Sequence, residues 1–238
     1  MNQPFLYDNT PLKETLTEFI DFKKLNRKHP RVILTSVDIM EGNAVSFDSE
    51  KVRIDVDHIM ASAGYPFYGI SWTRKDGRYL WDGSLLSNTP LREAIDASPI
   101  LDKDVYLVSL FPRRQESLPK NMTESWHRAR DIMHSDKTEH NVKMSKVISR
   151  YVDIIKKMHD LLQKAELDKK SMEEMEKLES EYRKLASKRG AIIQNIVRIE
   201  RKENTHFLLE DADFSLSKIK HLIEEGKRDA EYVLKQTQ

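Results

Sequence analysis

The 238-residue chain contains no cysteine, which removes disulfides and thiolate metal sites from consideration. It has only seven glycines, and no proline follows Pro119. No apolar run approaches the roughly 20 residues needed to span a bilayer. The opening MNQPFLYDNT lacks the basic start and apolar block of a secretory signal. Charge of one sign is missing too: 40 Lys and Arg stand against 39 Asp and Glu, a formal net charge of +1. No global field therefore recruits nucleic acid or an anionic membrane. No repeat of fixed period is visible. These absences lead us to expect a soluble cytoplasmic protein without metal or cofactor, long enough for one sizeable core with a helical appendage.

What is present divides near residue 120. Before it, short β-branched runs alternate with helical spacing: a Pro11-led helix over Leu12 to Leu25 capped by Thr10, a buried strand within Arg31 to Met40, and a turn at Glu41-Gly42-Asn43 into Ala44 to Phe47. A short helix containing His58 follows, then a strand ending at Asp82, a helix over Pro90 to Ala97 and a second buried strand, Val105 to Phe111. Beyond it the charged fraction, 33 % over the whole chain, concentrates, above the usual quarter or so. Tyr151, Ile155, Met158, Leu162 and Ala165 fall on one helix face, and Ser171 with Glu174 reads as a capping box before a second stripe, Met175, Leu178, Tyr182 and Leu185. The pattern predicts a helix pair over about 146–188 with its turn near Leu167 to Lys170, a strand over about 191–200 and a final helix over about 215–235. In that last helix Ile219, Leu222, Ile223, Ala230, Val233 and Leu234 would face inward. The expected domains are thus 1–120, α/β, and 121–238, mainly helical.

The chain is organised around Gly77 to Leu91, GRYLWDGSLLSNTPL. An apolar run delivers Asp82 to the end of a strand, and Gly83 permits a sharp turn or a close backbone approach. On this stretch alone an ordinary Asp-Gly turn is the commoner reading. Upstream stands His58-Ile-Met-Ala-Ser62-Ala-Gly64-Tyr-Pro66-Phe67. Together, HIMAS, the Pro66-Phe67 pair and YLWDGSLLSNTPL resemble the carboxyl half of patatin-like phospholipases, serine acyl hydrolases that use a Ser-Asp dyad. Tyr7 to Leu16, Arg31 to Asp48 and Phe214 to Leu234 extend the likeness to bacterial and archaeal members with a helical C-terminal extension.

The resemblance implies a partial three-layer α/β/α domain followed by that extension, with Asp82, Gly83 and Ser84 as the DG motif and Asp82 as the dyad base. It implies a lipid or ester substrate. Ser84 stands where the family usually has Gly or Ala. The larger departure is elsewhere: no two of the glycines at 42, 64, 69, 77, 83, 190 and 226 are four apart, so G-x-S-x-G is absent, and none are two apart, so a G-x-G oxyanion loop is absent too. The chain looks like the second half of such an enzyme, and a separate chain could carry the nucleophile.

Other candidates carry less. Ser62 reads as a small residue packing on the sheet, and Ser87 and Asn88 as partners of local backbone. His127, Asp131 and His134, spaced by four and three, could share a helix face and hold a metal, but the pattern favours a solvated surface. His58, after Asp57, reads as a cap. Arg113, Arg114, Lys120, Arg128 and Arg130 form a basic cluster that reads as a solvated rim. Two functions stand: the dyad-Asp portion of a lipid acyl hydrolase, inactive alone, or a non-catalytic scaffold whose helix pair binds protein. An open sheet edge would let the chain pair with a second copy.

Overall fold

The run RVILTSVD alternates so that Leu34, Ser36 and Asp38 share one side of a strand, and the turn after it, with Gly42 at φ +66°, folds AVSFD back against it. The resulting strands are β1 (Ile33–Asp38) and β2 (Ala44–Asp48), antiparallel, with Leu34 opposite Phe47. A computed structural model describes residues 4–27, 29–98, 101–165, 168–189, 192–201 and 213–237. Its elements fall into two units, Met1–Ala97 and Ser98–Gln238.

In the first unit a second hairpin, β3 (Thr73–Lys75) and β4 (Arg78–Asp82), turns through Asp76 and Gly77, both at positive φ. That geometry matches strand twist, which is why Asp-Gly suits it. β4 also pairs antiparallel with β1, so the sheet order is β2-β1-β4-β3. Helix α3 (Val56–Ala61) lies on the face bearing Leu34, Phe47 and Leu80. Ile54, Ala61 and Leu80 are almost wholly buried there, the two larger ones each contributing about 2 kcal/mol by burial. Asp55 caps α3, accepting the N–H groups of Asp57 and His58, while His58 Nδ1 accepts from the Asp55 N–H. His58 is thus a capping residue, and its ring packs edge-on to Phe47.

The predicted first helix is two. α1 (Thr10–Phe19) ends where Ile20 turns extended, and Asp21 caps α2 (Phe22–Leu25) by accepting from Lys23 and Lys24. Thr10 is the first helical residue, not the cap: Asn9 holds the cap position, and Asp8 takes the Thr10 N–H and hydroxyl. At the sheet's edge Arg31 donates from Nε to Asp48 at 2.8 Å, pairs with Asp48 through its second nitrogen, and reaches Glu50 and the Ala97 carbonyl. Those contacts with Arg31 hold the Asp48 carboxyl down to about 2, against the opposing effect of its burial. The unit closes with α4 (Leu91–Ala97).

In the second unit β5 (Lys103–Ser109) and β6 (Ile193–Glu200) form a parallel pair. The strand of Val105 to Phe111, grouped by the sequence with residues 1–120, therefore pairs within the helical part, and the units divide at Ala97 rather than near 120. α5 (Met122–Leu162) runs 41 residues from an Asn121 cap that accepts the Glu124 N–H, well ahead of the predicted start at 146. No Gly or Pro interrupts it. α6 (Lys169–Arg189) begins behind Asp168, which accepts the Ser171 N–H at 2.7 Å; Asp168, not Ser171, is the cap. The turn near Leu167 lies partly outside the described residues, as does the Leu185 side chain. His159 stacks on Tyr182 at 4.4 Å and joins the two helices. The periodic stripe of α5 does not form a core: Tyr151, Ile155, Met158 and Leu162 are exposed. Ser215 starts α7 (Leu216–Thr237) as expected, but of its inward-assigned residues Ile219, Leu222, Ile223 and Leu234 are exposed, and Glu225 is the buried one. Among the described residues no helix is long and apolar enough to cross a membrane.

Candidate active site around Asp82

β4 ends on Asp82, whose backbone leaves the ladder at φ −52° and ψ 132° and enters a single 3-10 turn, Gly83–Leu85. The Asp82 N–H donates to the Gly64 carbonyl at 3.0 Å. Its side chain turns back to cap the 3-10 turn, Oδ1 accepting the Ser84 N–H at 2.8 Å. Oδ2 accepts no hydrogen bond among the described residues. Burial pushes the carboxyl up from the ordinary aspartate range, opposed by the Ser84 N–H and the nearby Ser84 hydroxyl. A half-buried carboxylate anchored on one oxygen by a backbone N–H and raised by burial is suited to take a proton.

Gly83 is there because nothing larger fits. A Cβ would lie 2.4 Å from Thr35 Oγ1 and 2.7 Å from the Thr35 carbonyl carbon and oxygen. Gly64 is as tight, its Cβ position 2.7 Å from the Ser71 oxygen. Ser62, at the end of α3, donates its hydroxyl to the same Thr35 carbonyl at 2.8 Å. The Thr35 carbonyl of β1 thus accepts the Ser62 hydroxyl with the Gly83 backbone lying close beside it, which sets the Asp82 turn near α3. Ser87 donates to the Thr89 carbonyl and its N–H to the Gly83 carbonyl, closing the loop after the motif.

Sequence reading did not single out Ser36. It pairs directly with Asp82 across β1 and β4, is fully buried, and its hydroxyl has no partner among the described residues. Leaving a buried hydroxyl unmatched costs about 1–3 kcal/mol. The alternation of β1 was the available signal, since it places Ser36 on the core side between Leu34 and Asp38.

Two matches with known families fall on these elements. The profile of the patatin-like phospholipases covers residues 1–95, and a second profile, described as patatin phospholipase, covers residues 132–238. The chain belongs to the patatin-like phospholipase family. Its members are lipid acyl hydrolases, and the two matched stretches leave only 96–131 between them. No curated protein compared with the chain matches it. Within this patatin-like chain, the first profile contains the whole Asp82 turn and its β1, α3 and β4 supports.

The remaining candidates lie in the second unit. His127, Asp131 and His134 do share a face of α5, but it is buried, correcting the surface reading. Arg130 donates to Asp131 at 3.0 Å and sits over the Phe111 ring, and Phe111 stacks on His134 at 4.5 Å. Among the described residues no three His, Asp or Glu side chains are arranged to hold a metal. The basic rim is likewise partly internal. Arg128 donates to the carbonyls of Pro112 and Arg113, Arg113 pairs with Glu139 at 3.3 Å, and Arg130 is buried.

Proposed function

We propose that Asp82 is the general base of a Ser-Asp dyad in a lipid acyl hydrolase acting on phospholipid or other carboxylic esters. The observation that carries this is the half-buried Asp82 carboxylate itself, anchored through Oδ1 at the end of β4 by the Ser84 N–H. In the proposed step a serine hydroxyl attacks the acyl carbonyl while Oδ2 takes its proton, and backbone N–H groups stabilise the oxyanion. Asp82 then returns the proton to the leaving alcohol, and the acyl-serine is hydrolysed by a water that it deprotonates in turn.

The serine and the oxyanion loop are not among the motifs of this sequence, and Ser62 and Ser87 spend their hydroxyls on backbone carbonyls. We assign both missing groups to a preceding segment or a separate chain, which leaves these 238 residues inactive alone. The cysteine-free composition supports a cytoplasmic setting. A second reading, a scaffold that binds protein through α5 and α6, draws support from the exposed Tyr151, Ile155, Met158 and Leu178.

Fluorophosphonate labelling of the purified chain, read by intact mass, tests the assignment. No adduct is expected from the chain alone, and hydrolysis is expected when a G-x-S-x-G segment is supplied. An adduct on one serine, lost in Asp82→Asn, would place the nucleophile inside the chain. Hydrolysis that survives Asp82→Asn would remove Asp82 from its role.

A further inference from the structure

We infer that Ser36 is a positioning residue for Asp82, its hydroxyl donating to Oδ2 and holding the carboxylate in the orientation that receives the proton. The inference rests on the reading of Asp82 as the base. Directly opposed residues of an antiparallel pair project to the same face with Cβ atoms about 5 Å apart, so a rotation about the Ser36 Cα–Cβ bond can turn its hydroxyl toward the Asp82 side chain. Ser36 faces Asp82 in this way on the buried side of the sheet.

Among the described residues, the other carboxylates near that face already have partners. The neighbours along and across β1 are Leu34, Val45, Phe47 and Leu80, all apolar. Asp38, two residues on, has Oδ1 accepting from the Met40 and Glu41 N–H groups and Oδ2 facing Arg78 at 3.8 Å. The charged groups of β3 and α3 have partners elsewhere: Lys75 pairs with Asp55 at 2.6 Å, and Asp57 with Lys13 of α1 at 2.6 Å. Asp82 Oδ2 is what remains. A donor there favours the charged carboxylate and restrains its rotation, yet leaves the second lone pair free for the incoming proton.

The test is the titration of Asp82 in the full chain, followed by carboxyl-carbon NMR with aspartate-labelled protein and assigned by loss of the signal in Asp82→Asn. Ser36→Ala should raise the midpoint, because the charged form loses a donor, and Ser36→Thr should restore it. A midpoint unmoved by Ser36→Ala overturns the inference and leaves the assignment of Asp82 as base intact, since that assignment is read from hydrolysis. Melting supplies an independent reading. Ser36→Ala should lower the melting temperature of the wild-type chain and leave that of an Asp82→Ala chain unchanged or higher. An equal shift in both backgrounds, or a rise in both, would return the hydroxyl to an unmatched packing role.

Discussion

Beneath the sheet of residues 1–97 the most deeply buried apolar side chains are Ile54, Ala61 and Leu80, whereas α5 buries His127, Arg130, Asp131 and His134 and leaves Tyr151, Ile155 and Met158 in solvent. The first unit is set by backbone proximity: Gly64 and Gly83 press against neighbouring carbonyls, and a Cβ at either would collide. In the second, Gly226 on α7 has nothing within 4 Å of its Cβ position. One unit is tuned for the placement of a single carboxylate. The other gains order from helix length and capping, and while it buries Leu107, Val142 and Val197, many of its larger apolar side chains stand in solvent.

The sharpest break in that comparison is Asp82→Asn. Hydrolysis by the assembled enzyme should fall about 10²- to 10⁴-fold, while the melting temperature of the chain rises at neutral pH. Because the folded carboxyl titrates above its unfolded value, its contribution is present below about pH 4 and lost as pH rises through the folded midpoint. Removing the charge removes that loss. A variant that is both inactive and less stable would contradict the placement of Asp82.

Gly83→Ala comes next. Driving a Cβ into the Thr35 backbone should destabilise the first unit by about 3 kcal/mol or more, read as a lower denaturation midpoint. Arg31→Ala should follow at about 2–3 kcal/mol, because Asp48 stays buried without its main partner. The wild-type chain should also hold a step of stability above about pH 4 that disappears as pH falls through about 2, where Asp48 protonates in the folded state. That step should be missing in Arg31→Ala. The smallest effect, and of opposite sign, belongs to Gly226→Ala, which should stabilise α7 by about 1 kcal/mol through helix propensity.

The strand ending in Asp82, the hairpin of β1 and β2, the α3 cap at His58 and the return strand β6 were legible in the sequence, since each rests on local spacing or turn chemistry. The Asp76-Gly77 hairpin carried an equally local signal but was read as the approach to one strand, so β3 went unseen. Helix faces were the harder case. Spacing by three and four identifies a stripe, but only tertiary structure decides whether that stripe meets a core, and on α5 the buried stripe is the polar one. The same limit hid Ser36: strand alternation puts it inward, while its partner lies in another strand and depends on the β1 to β4 register.

The β5–β6 pair has a consequence for how the chain assembles. Arg31 and Asp48 meet across 17 residues of chain, while Asn195 meets Asp104 across 91. Closing the longer loop costs about 1.5 kcal/mol more entropy, and parallel pairing brings no hairpin to nucleate it. Pulsed hydrogen exchange during refolding should therefore protect the amides of β1 and β2 before those of β5 and β6; the reverse order would refute this. A chain emerging from the ribosome can complete the Asp82 turn while the strand that β5 awaits is still being synthesised.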